Sequence, residues 1–173
     1  ATPIPRTLCI TLYGDLDISV IDELPPGRGK VETLLYVQEQ SAEVYARIRQ
    51  EVEAGRQAYV VNPIIEESEK LDLKAAQAMF RHFKNEEFKD LRIGLVHGQM
   101  KQKESQTMMA KFKNKEIDIL VATTVLEVGI DVPNASVMVV EHAERFGLAQ
   151  LHQLRGRIGR GWADALCILV ADP

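Results

Sequence analysis

Six short apolar runs, bounded by polar or turn-forming residues, constrain this chain more than anything else in it: residues 31–37, 58–61, 92–96, 117–122, 136–140 and 165–170. Several are β-branched and do not alternate with polar residues, as expected of strands buried on both faces. The stretches between them carry helical spacing. Ser41 stands as an N-cap ahead of Val44, Ile48 and Val52, a stripe that stops at Gly55. Leu73, Ala76, Phe80 and Phe83 form a second stripe, and Met108, Met109 and Phe112 fall on a third helix. Strand alternating with helix predicts an α/β domain, a mainly parallel sheet of about six strands with helices on both faces. Such sheets bind ligands at the carboxyl ends of their strands, which is where residues 123–132 are expected.

The length of 173 residues suits one ordinary domain with a sizeable core. With 46% hydrophobic and 27% charged residues, the composition is that of a soluble globular protein. No apolar run approaches the roughly 20 residues of a membrane span, and the opening Ala1-Thr-Pro-Ile-Pro-Arg6 has no secretory pattern. Cys9 and Cys167 stand far apart without metal-ligand spacing, so free thiols in a cytoplasmic protein are expected. The net charge of −4 argues against a uniformly basic nucleic-acid binder but leaves room for a local basic groove. Residues 1–25 read differently: Pro3 and Pro5 punctuate the start, and Leu24-Pro-Pro-Gly-Arg28 reads as a stiff linker.

Three segments carry chemistry. In residues 150–161, arginines recur at 155, 157 and 160, with glycines at 156, 159 and 161. Arg157 and Arg160 are spaced to share one face of a helix, and Gly156 and Gly159 leave the backbone open to close approach. Two guanidiniums so placed suit a multi-oxygen anion such as a phosphate. A solvated basic helix end is the plainer alternative. Residues 123–133 come after a strongly predicted strand, and their threonine hydroxyls and amides suit backbone phosphates, while Asp131 suits a ribose hydroxyl or a cation. A turn before Pro133 explains the same residues without a ligand. His97-Gly98 joins a strand to a helix, where phosphate is favoured, although an ordinary turn fits as well.

What the chain lacks matters equally. No phosphate-binding loop of the form G-x-x-x-x-G-K-[ST] occurs; Gly27-Arg-Gly-Lys30 lacks its spacing. The one Asp-Glu pair, Asp22-Glu23, lies in the linker region and is a poor Mg²⁺ site. His82, His142 and His152 show no acyl-transfer or metal constellation, so no metal site is expected. The arginines therefore read as half of a site.

Together these segments resemble the second motor domain of superfamily 2 helicases, and among them the RecG family of branch-migrating DNA helicases. Residues 123–133 look like helicase motif V, and Gln153-Leu-Arg-Gly-Arg-Ile-Gly-Arg160 looks like motif VI. Residues 1–7 resemble the end of motif III, and Leu12-Tyr-Gly-Asp-Leu-Asp17 and residues 21–28 resemble the segment after that motif in the RecG family. Residues 144–152 are shared with the transcription-repair coupling factor. The resemblance implies a RecA-like, P-loop-NTPase-type fold over residues 26–173, with residues 1–25 as the tail of a preceding motor domain plus linker.

It also implies roles. Arg157 and Arg160 would be arginine fingers reaching the γ-phosphate of ATP held with Mg²⁺ by the first motor domain, with Gln153 in the coupling network beside them. Gly129 and Asp131 match motif V positions near the nucleotide. Thr123, Thr124, His97 and Gly98 match positions near the DNA backbone. Gln102 matches a further contact seen in related RNA helicases, whereas Ser105 replaces the arginine expected there, and that contact is not carried over. The implied whole is a monomeric, cytoplasmic, nucleoid-associated bacterial enzyme that remodels branched double-stranded DNA in recombination and repair, through fork reversal or Holliday junction migration. The isolated fragment is expected to be inactive. The alternatives are a coupling-factor motor domain and a non-catalytic helicase-like module.

Overall fold

Every one of the six apolar runs is a strand in the computed structural model, which describes residues 29–63, 69–123, 132–159 and 164–172. Strand β1 (Val31–Tyr36) leads through a 3-10 turn (Gln38–Gln40) to helix α1 (Ser41–Glu53). Then come β2 (Gln57–Asn62), α2 (Glu69–His82) with a π turn (Phe83–Glu87), β3 (Ile93–Val96) and α3 (Gln102–Lys113). The remainder is β4 (Ile119–Thr123), β5 (Ala135–Val140), a 3-10 turn (Ala143–Arg145), α4 (Leu148–Arg155) and β6 (Ala165–Val170). The expected segment 1–25 lies outside the described residues.

The strands form one sheet in the order β1-β6-β5-β2-β4-β3, and every pairing is parallel. Strands β2, β4 and β5 are buried along their whole length, which is why their sequences are continuous apolar runs. Val44 and Ile48 of α1, with Phe83 and Phe88 around the π turn, pack on one face over Val60, Val121 and Val139. Met109 and Phe112 of α3 and Leu154 of α4 pack on the other over Tyr59, Leu120 and Met138. Helices thus cover both faces of an all-parallel sheet, the α/β architecture expected.

Three local expectations are corrected. Strand β1 lies at the sheet edge, and its Glu32, Thr33 and Leu35 face solvent, Leu35 at 72% exposure. An edge strand has a neighbour on one side only, so full burial on both faces does not follow from an apolar run. Ser41 is the first helical residue and not the cap: Gln40 holds the N-cap position, and its side-chain Oε1 accepts the Val37 N–H at 3.2 Å. Phe83 falls beyond α2 on the π turn, where it is still fully buried. The stop at Gly55 holds, with φ at +82° after the helix ends.

One buried polar residue stitches the amino end of the sheet. Gln57 is 2% exposed, and its amide donates to the Phe112 and Ile117 carbonyls at 2.6 and 2.7 Å. Its Oε1 accepts from Asn134 Nδ2 at 3.1 Å. One side chain thus ties β2 to the end of α3 and to the turns entering β4 and β5. Cys167 is a free, buried thiol, its pKa pushed up to about 11 by burial. Among the described residues no helix is long and apolar enough to cross a membrane.

Candidate functional site

The carboxyl ends of the strands carry a row of polar side chains in register. Asn62 ends β2 opposite Thr123 at the end of β4, and the pairing of Val96 with Ala122 places His97 beside Thr123. On the other side, the Glu141 N–H donates to Val61 O, extending the β2–β5 ladder past Val140. The period of two puts all four residues on the face that carries α1 and α2. Asn62 Nδ2 donates to Met79 Sδ of α2 at 3.5 Å, in agreement.

This rim is dry and only partly satisfied. Glu141, Asn62 and Thr123 are 3–4% exposed, and His97 is half-buried. Among the described residues, Thr123 Oγ1 and His97 Nδ1 have no hydrogen-bond partner. Burial pushes the Glu141 carboxyl up to about 7. Tyr45 of α1 is pushed up to about 12, by burial first and then by the carboxylates of Glu141 and Glu87. Beyond His97, Gly98 is exposed in a turn closed by the Met100 N–H on His97 O. Lys101 takes the N-cap position of α3 without a side-chain bond to the helix. Lys101, Lys103 and Lys111 rim a shallow groove of about 470 Å³ floored by Met100 and Met108. Sequence reading passed over these lysines, although Lys101 and Lys103 stand beside His97-Gly98 in the chain.

The arginine segment lies at the opposite, amino edge of the sheet. Helix α4 starts at the carboxyl edge, where the Gly147 N–H donates to Gln150 Oε1 at 2.9 Å. It ends at Arg155, with Gly156 as C-cap. Arg155 itself is an anchor: Nη2 donates to Val31 O at 2.9 Å and Nε to Thr33 Oγ1 at 3.0 Å, both on β1. Gly159 comes next at φ +67°, and a Cβ there would stand 2.7 Å from Val31 Cγ2 and 3.4 Å from Ala165 Cβ. The close approach expected at the glycines is therefore made, at Gly159, with the protein's own first strand residues.

These facts correct the shared-face argument. The helix stops at Arg155, so helical spacing does not relate Arg157 to Arg160. Arg157 lies in the turn after the helix, half-buried, and its guanidinium makes no hydrogen bond or ion pair with any described residue. Gln153 is exposed on α4. Arg160, Gly129, Asp131 and Thr124 lie outside the described residues. The described part of the motif V segment resumes with Val132, buried at the amino edge, whose carbonyl accepts the Ala135 N–H. The structure thus separates the candidates: His97, Gly98 and Thr123 on the carboxyl rim, Arg157 at the end of the helix that runs to the amino edge.

Comparison with known proteins gives this division a context. RecG of Thermotoga maritima, an ATP-dependent DNA helicase, is 55% identical over 170 residues, covering 98% of this chain and 22% of that protein. RecG of Aquifex aeolicus is 58% identical over 170 residues, again 98% of this chain and 21% of that protein. The chain spans about a fifth of the length of these relatives. Among solved structures, RecG bound to a three-way DNA junction matches 99% of this chain and 22% of its own, at 50% identity and a TM-score of 0.81. The second domain of a DEAD-box helicase bound to an RNA duplex shares the fold over 80% of this chain, with a TM-score of 0.62 at 23% identity. The family model of the helicase conserved C-terminal domain matches residues 39–161, from the turn before α1 through the arginine motif. The chain belongs to the helicase conserved C-terminal domain family.

Proposed function

We propose that this chain is the second motor domain of a RecG-type, ATP-dependent DNA helicase that remodels branched double-stranded DNA in recombination and repair. The observation that carries the reading is Arg157. It is a half-buried guanidinium with no partner among the described residues, set between a helix end anchored by Arg155 and a backbone fixed at Gly159. A cation so held, with its own hydrogen bonds unspent, is preorganised for an anion brought by another body. Arg157, together with Arg160, acts in trans as an arginine finger on ATP, with Mg²⁺, held by the first motor domain. Gln153, Gly129 and Asp131 line the same cleft.

The carboxyl rim faces DNA: His97, Gly98 and Thr124 contact the sugar-phosphate backbone, whereas Thr123, at 4% exposure, is too buried to do so. Closure of the cleft on ATP and its reopening after hydrolysis then move the two edges of the sheet as one body, so nucleotide state is converted into displacement along the duplex. The whole protein acts as a monomer in the bacterial cytoplasm. On this reading the chain alone does not hydrolyse ATP, because it supplies no phosphate-binding loop.

The test is Arg157→Ala and Arg160→Ala in the full-length protein. Nucleotide binding is retained while DNA-stimulated hydrolysis falls by roughly 10³-fold, the scale of arginine-finger losses. Turnover within a few-fold of the parent removes the assignment.

A further inference from the structure

Tertiary structure assembles a donor cluster that the spacing of the histidines gives no sign of. His142 and Glu144, on the turn after β5, meet Asp172, just beyond β6, at the carboxyl edge of the sheet. One ligand atom from each lies within 4.8 Å of the other two. His142 Nδ1 stands 3.5 Å from Glu144 Oε1 and 3.8 Å from Asp172 Oδ2. Those separations are long for N–H···O hydrogen bonds, and Nδ1 is shielded from solvent without a hydrogen-bond partner among the described residues. They are close to what one tetrahedral ion imposes: two donors each about 2.1 Å from it stand about 3.4 Å apart.

The surrounding bonds hold the donors in place. The Asp172 N–H donates to Glu144 Oε2 at 3.3 Å, leaving Oε1 turned to the imidazole. His142 is held in the left-handed region, φ 50° and ψ 51°, which few non-glycine residues adopt, although Asn, Asp and His do so more often than the rest. Arg145 Nε lies 3.6 Å from Glu144 Oε1 and is the competing cation, but its side chain is half-exposed and has solvent to move into. All three donor side chains are partly open to water, His142 at 36%.

We propose that His142 Nδ1, Glu144 and Asp172 form a binding site for a divalent first-row transition ion of the zinc type, with water completing its coordination. An imidazole with two carboxylates suits such ions, whereas Mg²⁺ and Ca²⁺ favour all-oxygen sets. The ion clamps the turn that leads into α4 to the segment just beyond β6, and so braces the approach to the arginine motif.

Titration of the chain with Co²⁺, read by its visible d–d absorption, tests the site. One equivalent binds with bands of a low-symmetry, four- to five-coordinate ion. His142→Asn keeps a side chain compatible with the left-handed backbone and weakens Co²⁺ binding at least tenfold. Asp172→Asn does the same, while His152→Asn, on the exposed side of α4, leaves it unchanged. Independently, Zn²⁺ raises the unfolding midpoint of the parent and not of Asp172→Asn. Co²⁺ affinity within twofold of the parent in His142→Asn and Asp172→Asn overturns the site, as does an absence of Co²⁺ bands at millimolar concentration.

Discussion

Replacing Gly159 by alanine tests the packing that presents the arginine motif. The glycine sits at φ +67°, and the added Cβ would meet Val31 Cγ2 at 2.7 Å, closer than carbon atoms pack without displacement. The left-handed backbone costs an L residue roughly 1–2 kcal/mol. Forcing a methyl group into a filled space costs about 1–3 kcal/mol more. The sum is roughly 2–5 kcal/mol, a large share of the stability of a domain this size. At roughly 2–4 °C per kcal/mol, the melting midpoint falls by about 4–20 °C. Urea unfolding followed by circular dichroism measures the free energy directly. Gly147→Ala is the control: Gly147 has φ −68°, and its nearest neighbour to a Cβ is Gln150 Oε1 at an ordinary 3.7 Å. It shifts stability by less than about 1 kcal/mol. Adding Val31→Ala to Gly159→Ala removes the colliding methyl, so the double variant loses less than the sum of the singles by roughly 1–3 kcal/mol. A Gly159→Ala variant within about 0.5 kcal/mol of the parent, by the usual size of neutral substitutions, refutes the argument. Strict additivity with Val31→Ala refutes the collision alone.

Buried polar groups give two more outcomes. Gln57→Leu strands the Ile117 carbonyl that its amide serves, while Phe112 O keeps the Lys115 N–H, and at about 1–3 kcal/mol for an orphaned group it lowers stability by roughly 1–3 kcal/mol. The urea midpoint moves and its slope does not; an unchanged midpoint rejects the stitching role. Glu141, pushed from 4.5 up to about 7 by burial, holds its proton in the folded chain between those pH values while the unfolded chain has lost it. Stability therefore falls as pH rises through that window and levels off above it, by at most about 3 kcal/mol. Glu141→Gln abolishes this slope and leaves the protein more stable than the parent at pH 8. A parent whose stability is flat from pH 5 to 8 contradicts the assignment.

The strand runs, the helical stripes and the stop at Gly55 were legible in the sequence because burial and backbone preference act over a few residues at a time. Uninterrupted apolar runs predicted a parallel sheet covered on both faces, and β2, β4 and β5 show why: each has a neighbour on both sides and helices above and below. The motif V and motif VI segments, and through them the helicase family, were equally readable, since each is a short run of residue types at set spacing. Strand order was not readable, because it depends on which of several similar apolar runs pair. That order made β1 an exposed edge and carried Arg157 and the carboxyl rim to opposite ends of the sheet. It also aligned Glu141, Asn62, Thr123 and His97 across four strands, though each looks alone like the polar end of an apolar run. The expectation of no histidine-centred metal cluster rested on spacing along the chain. His142, Glu144 and Asp172 meet only because β5 and β6 are neighbours and both end at the same edge. Local chemistry wrote the elements and the motifs; the pairing of strands, a long-range choice made by the whole core, decided which residues share a place.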